Sequence, residues 1–258
     1  MVDVKTFSKG KNKNRNEDYF DYNENYFVIA DGATNKSKKK YNHKTGGELA
    51  SRVVVKECLS NNLNGIELVN HINKKIQELY DRLKISEKIK DSKFRFTCGF
   101  ICIKIKNDKV IVTYLGDLGF RINGTEIYQK IKQIDINNSK KRSEYIQKTN
   151  NVKGSRNYIM PLLLKQFEYQ NNSQKSLGYG VIDGTKTPSK FIKTFKYNIN
   201  EIKTIELFSD GYFEIPQEIS IEAWEKNFEK VEKEDPNKWK KYKSTKSKDD
   251  RTIAIITF

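Results

Sequence analysis

YFVIADGATN, residues 26 to 35, is the stretch on which the reading of this chain turns. Tyr26, Phe27, Val28, Ile29 and Ala30 form an unbroken apolar run of mostly β-forming residues, which predicts a strand buried on both faces. The run stops at Asp31-Gly32, so a carboxylate is delivered at the strand end. The glycine after it lets the backbone turn sharply and leaves a carbonyl unshielded, a set of oxygens that suits a hard cation. An isolated Asp-Gly pair is more often an ordinary turn. Here the pattern recurs, in IELFSDG at 205 to 211 and in a related form in VIVTYLGD at 110 to 117.

Working outward, the 258 residues are 36% hydrophobic and 12% aromatic, enough to furnish one core, and a single domain over 1–258 is expected. The formal charge of +16 would ordinarily point to nucleic acid, anionic lipid or phosphorylated partners. Lys, Asn and Ile are all abundant, as an AT-rich coding sequence produces, so the basicity is read mainly as drift; clustering of the lysines on one face would argue otherwise. Cys58, Cys98 and Cys102 lie in apolar settings without metal-ligand spacing and read as small core residues in a reducing cytoplasm. The amino-terminal MVDVKTFSKGKNKNR has no apolar h-region and no run approaches membrane-span length, so neither a secretory signal nor a membrane is expected. With only His43 and His71, a zinc enzyme built on several histidines is nearly excluded, and hydrolytic chemistry would rest on carboxylates.

Along the chain, Val4 to Ser8 predicts a short strand. Leu49, Ala50, Val53, Val54, Cys58 and Leu59 recur at helical spacing, as do Ile66, Val69, Ile72, Ile76, Leu79 and Leu83. RFTCGFICIKI at 95 to 105, the turn KNDK and VIVTYLGD predict a β-hairpin, and Phe120 to Tyr128 continues the meander through Asn123-Gly124. Residues 129 to 200 are rich in Asn, Ser and Lys and predict a mobile insertion or flap, with an apolar patch at Tyr158 to Leu164. Ile202 to Phe208 predicts a strand, and Ile221, Trp224, Phe228 and Val231 a helix. The basic NKWKKYKSTKSK is read as a loop leading to the site, with Trp239 and Tyr242 leaving open a base-stacking reading. DDRTIAIITF closes the chain with two carboxylates before a strong strand.

Glu17, Asp18, Asp31, Asp117, Asp210, Asp249 and Asp250 mostly abut predicted strand ends, and strand ends of one sheet system converge. Carboxylates crowded together cannot all stay ionised without cations, and all-oxygen ligands select Mg²⁺ or Mn²⁺. Two such ions can acidify a shared water and present it in line with phosphorus. The ordered set NED at 16 to 18, ADG at 30 to 32, GGELAS at 46 to 51, LGD at 115 to 117, SDG at 209 to 211 and DDRT at 249 to 252 resembles the metal-dependent type 2C serine/threonine protein phosphatases, the PPM family, over almost the whole chain. The resemblance implies an α+β fold, a four-layer α-β-β-α sandwich of two antiparallel sheets flanked by helices. It also implies hydrolysis of phosphoserine and phosphothreonine by a metal-activated water with two or three Mn²⁺ or Mg²⁺ ions, in cytoplasmic signal transduction on phosphorylated proteins opposite a cognate kinase.

Carried over by position, Asp31 resembles the carboxylate bridging both ions, with the Gly32 carbonyl as a further ligand. Asp210 and Asp249 resemble ligands of one ion, Glu17 and Asp18 the pair reaching the other, and Asp117 the additional, weaker site. The chain departs from the family in three places. Lys13 stands five positions before Asp18, where an arginine usually holds the phosphate, and it supplies charge without a bidentate fork, so the role stays with Lys13 or passes to Arg15. Ala33-Thr34-Asn35 replaces a glycine-rich or histidine-containing turn, which leaves His43 as the candidate general acid. Leu118 replaces a small polar residue after Asp117. The basic loop from Lys36 to Lys44, with Lys38, Lys39 and Lys40, is expected to raise phosphate affinity at low salt. Three rival readings stand beside the protein phosphatase: a phosphatase-like regulatory or phosphoprotein-binding module with little turnover, a basic nucleic-acid-binding protein, which the sequence disfavours, and hydrolysis of a small phosphorylated metabolite by the same metals.

Overall fold

The computed structural model describes all residues except 1, 13, 14, 35 and 38. Its described strands form two antiparallel sheets of five. The first runs β1 (Asp3–Lys9), β10 (Arg251–Thr257), β9 (Thr204–Phe208), β6 (Gly119–Ile122), β7 (Glu126–Gln129). The second runs β2 (Asp18–Tyr22), β3 (Tyr26–Ala33), β4 (Thr97–Lys106), β5 (Lys109–Leu115), β8 (Lys193–Asn198). The unbroken apolar run in β3 has a simple cause. Phe27 and Ile29 point into the space between the sheets, where they meet Ile101, Val112, Phe120, Leu207 and Ala254. Val28 and Ala30 point the other way, onto α1 (Gly46–Leu59) and α2 (Gly65–Arg82), among Val54, Cys58, Val69 and Ile76. Strand alternation thus buries Phe27 to Ala30 and leaves Tyr26, at the start of the run, half-buried. Each large side chain so buried contributes about 1.5–3 kcal/mol.

The outer face of the first sheet is covered by α6 (Ile221–Glu234), where Trp224 and Phe228 meet Phe208, Tyr212 and Ile253. The order is therefore helices, sheet, sheet, helix, the four-layer sandwich that the resemblance implied. The buried Arg121 donates to Glu206, which also accepts from Trp224 Nε1 at 2.8 Å, so this ion pair on the first sheet anchors α6 as well. The three cysteines are buried and unpaired. Among the described residues no helix is long and apolar enough to cross a membrane.

One expectation is corrected. Asp31-Gly32 is no turn: β3 continues to Ala33, and Gly32 pairs with Cys98 of β4. Gly32 must be glycine because a Cβ there would lie 2.3 Å from the Gly47 carbonyl oxygen and 2.7 Å from that of Glu17. The stretch 129 to 200 contains α3 (Gln133–Thr149), α4 (Val152–Tyr158) and α5 (Met160–Lys165), and its end supplies edge strand β8.

Candidate active site

Antiparallel pairing brings the acidic strand ends to one edge of the sandwich. Asp18 opens β2 and stands directly opposite Asp31 near the end of β3. Residues paired in this way project from the same face, and for Asp31, two residues on from Ile29, that face looks between the sheets. Asp210 follows β9, Asp249 and Asp250 precede β10, and Asp117 follows β5. Asp31, Asp117, Asp210 and Asp249 all line one cavity of about 950 Å³.

The crowding shows in their protonation. Burial, then the charges of Asp18, Asp117 and Asp249, push the Asp31 carboxyl well above the usual range. Burial, then Asp249 and Asp31, do the same to Asp210. Asp18 is raised to about 7 by burial and by Asp250, Asp249 and Asp210, against the opposing bond from Ser209. Its Oδ2 accepts from Ser209 Oγ at 2.7 Å and from Thr252 Oγ1 at 2.9 Å, which ties the edge of one sheet to that of the other.

Glu17 sits behind this group, fully buried. Its Oε1 accepts from Thr45 Oγ1 at 2.5 Å, and Thr45 is also the N-cap of α1, closed by a capping box with Glu48. Its Oε2 accepts from Thr34 Oγ1 and, at 2.6 Å, from Lys11 Nζ. Gly47 permits this approach, since a Cβ there would lie 2.9 Å from Glu17 Oε1.

Three lysines stand among the acids. Lys11 Nζ reaches Glu17 and, at 2.8 Å, Asp250 Oδ2. Lys132 pairs with Asp117 at 2.8 Å. Lys246 pairs with Asp249. Burial works against the charge of Lys246, yet Asp249, Asp210 and Asp31 outweigh it and raise the ammonium. On the opposite wall Lys36 and Arg156 face the same space. The Lys36 ammonium is lowered to about 8 by burial and then by the like charges of Arg156 and Lys246. Three cations that repel one another in a cavity form a receptor for a compact polyanion. Apolar side chains also line the cavity, Ile131, Ile136, Met160, Leu163 and Phe167 from α3, α5 and their flanks.

No protein-family model matches the chain, and no curated protein sequence does. Solved structures do. The serine/threonine phosphatase Stp1 from Staphylococcus aureus superposes with a TM-score of 0.56 over 100% of this chain and 95% of that one, at 17% identity. The Mycobacterium tuberculosis serine/threonine phosphatase PstP/Ppp gives 0.52 over 100% and 98%, at 14% identity. The catalytic domain of PstP in complex with two manganese ions gives 0.52 over 99% and 97%, at 12% identity. The chain has the fold of the bacterial type 2C serine/threonine phosphatases.

Within that type 2C fold the donor set meets a hard cation unevenly. Among the described residues Asp31 and Asp210 accept no hydrogen bond from a side chain or backbone donor, and with Asp249 they offer only oxygen, the chemistry of a Mg²⁺ or Mn²⁺ site. Glu17 has both oxygens engaged, and so has Asp249, by the Asp250 backbone N–H and by Lys246. With lysines interposed, no three acidic, histidine or cysteine side chains among the described residues are gathered on one point. Lys13 lies outside the described residues. Arg15 forms a backbone bridge with Asn12 and is not among the cavity's lining residues. His43 is exposed in a tight turn with φ 66° and is likewise absent from that lining, so the general acid expected of it has no support here. Tyr242 is buried with its hydroxyl on Glu234 at 3.0 Å, which removes it from any base-stacking role. Lys11, Lys132 and Arg156 were not singled out from sequence; Lys36 and Lys246 entered only as members of basic loops, and Asp250 as the second carboxylate of the pair before β10.

Proposed function

We propose that this chain is a metal-dependent phosphatase acting on phosphoserine and phosphothreonine in proteins. The observation that carries the reading is the meeting in one cavity of Asp31, Asp210 and Asp249 with the cations Lys36, Arg156 and Lys246. Acids alone would bind a cation and bases alone an anion; the two together match a metal ion and a phosphomonoester. Asp31, Asp210 and Asp249 would hold Mn²⁺ or Mg²⁺. Such an ion supplies positive charge against the phosphoryl oxygens and acidifies water at neutral pH.

The chain's own residues do the rest. Lys36 and Arg156 draw in and orient the phosphate dianion, and the side-chain bond of Arg156 to Thr245 Oγ1 at 3.3 Å helps fix that guanidinium. The apolar wall of Met160, Leu163 and Phe167 takes the side chains flanking the phosphorylated residue and excludes water there.

Hydrolysis of a phosphopeptide with Mn²⁺, with Mg²⁺ and with EDTA, in the wild type and in Asp210→Asn, tests this. The substitution keeps size and removes a ligand charge. A loss of turnover of about 100-fold or more is expected, with an unchanged melting profile. Metal-independent hydrolysis, or an unaffected Asp210→Asn, would overturn the reading. A regulatory, phosphoprotein-binding role is the second reading, favoured by the lysines paired with Glu17, Asp117 and Asp249. Its signature is phosphopeptide binding with no Mn²⁺-dependent turnover.

A further inference from the structure

Glu17 and Asp250 lie deepest in the site, and one side chain answers both. Lys11 Nζ donates to Glu17 Oε2 at 2.6 Å, to Asp250 Oδ2 at 2.8 Å and to Thr34 Oγ1 at 3.1 Å, while the Lys11 backbone N–H donates to Asp250 Oδ1 at 2.7 Å. The ammonium has three acceptors for its three protons, and the two carboxylates are almost fully enclosed, at 0% and 3% exposed. Both Glu17 oxygens are already engaged, Oε1 by Thr45 and Oε2 by Lys11 and Thr34. A divalent ion binding Glu17 would have to expel the ammonium from a buried site and break the α1 cap contact with it, and a charge left buried without its partner is costly.

The other lysine at the edge is held differently. Lys246 makes one ion pair, to Asp249, where Lys11 makes two, and its side chain is 33% exposed against 16% for Lys11, so it is the more readily displaced of the two.

We propose that Lys11 is a resident cation closing the Glu17 half of the site, so that the chain binds one divalent ion, at Asp31, Asp210 and Asp249. This rests on the metal-dependent reading above. The charge of the second ion is then supplied by an ammonium. It neutralises the acids around it and orders the edge of the sandwich, without acting as a Lewis acid.

Metal stoichiometry tests this without recourse to activity. Titration of the metal-free protein with Mn²⁺, followed by calorimetry and by electron paramagnetic resonance, should show one magnetically isolated ion per wild-type chain. Lys11→Met should bind two, with the spectrum of an exchange-coupled pair. Lys246→Ala, which leaves Lys11 in place, should still bind one, more tightly than the wild type by several-fold, and it keeps the test open if Lys11→Met does not fold. Two coupled ions in the wild type or in Lys246→Ala would overturn the assignment and leave the metal-dependent reading standing. No Mn²⁺ binding in any of the three would remove both.

Discussion

Lys36 shows how one side chain can set the working range of a site. It lines the cavity, its Nζ donates to the Thr34 carbonyl at 3.2 Å, and burial together with Arg156 and Lys246 lowers its ammonium to about 8. Below that pH it is charged and attracts phosphate. Above it the proton leaves and one of the three cations is lost. Because kcat/KM reports ionisations of the free enzyme, kcat/KM for a phosphopeptide should fall above pH about 8. The fall should approach tenfold, the equivalent of one charge-assisted hydrogen bond of about 1.5 kcal/mol. Lys36→Arg holds its charge throughout and should flatten that limb. An identical decline in wild type and Lys36→Arg would assign the ionisation elsewhere. The carboxylates of this site were legible because each stands beside a strand end. Lys36 was legible only as part of a basic loop, since 49 Lys and Arg residues leave no single lysine distinctive.

Among the elements, α3 and α4 depend least on an apolar stripe and most on one arginine. Arg142 of α3 is buried, and its guanidinium donates to the carbonyls of Asn237 at 3.0 Å, Lys238 at 2.9 Å and Ser244 at 2.9 Å, and to the Ser155 and Ser247 hydroxyls. It thereby fastens α3 to α4 and both to the loop that carries Lys246 and Asp249. Arg142→Ala would leave three carbonyls without this donor, at a cost of about 3 kcal/mol or more. Arg142→Lys recovers little, because an ammonium cannot spread five donors in a plane. Both should lower the melting temperature and raise the protease sensitivity of the 237–247 loop. A wild-type melting profile in Arg142→Ala would refute the role. The contrast explains what periodicity could and could not read. α1 and α2 announce themselves because their apolar residues recur at helical spacing against the sheet. α3 buries Asn138, Ser139, Arg142 and Ser143 between only two apolar residues, Ile134 and Ile146, so its burial is mostly polar and leaves little apolar rhythm in the sequence. Gly32 was misread for a related reason: a glycine needed for close approach of two backbones looks, in one dimension, like a glycine needed for a turn.

At the scale of the molecule, the chain keeps the type 2C sandwich at 17% identity or below to the neighbours described, with no match to any family model. The parts of that sandwich read from sequence were the buried runs of its strands and the acids beside their ends. The net charge of +16, read there as drift, is in part spent at the site: Lys11, Lys36, Lys132, Lys243, Lys246 and Lys248 all line its cavity. A field of that sign reaches beyond contact distance and is screened by salt, with a Debye length of about 10 Å at 0.1 M and 3 Å at 1 M. A phosphopeptide with acidic flanks feels this field along its length, whereas p-nitrophenyl phosphate presents only the phosphate. Raising ionic strength from ~0.05 to ~0.5 M should therefore raise KM for the acidic phosphopeptide several-fold more than for the small ester, with kcat little changed for either. Lys243→Ser with Lys248→Ser, at the cavity rim, should narrow that gap while leaving the small ester unaffected. Equal salt dependence for the two substrates would mean that the surrounding lysines take no part in substrate capture, and would return the excess charge to drift.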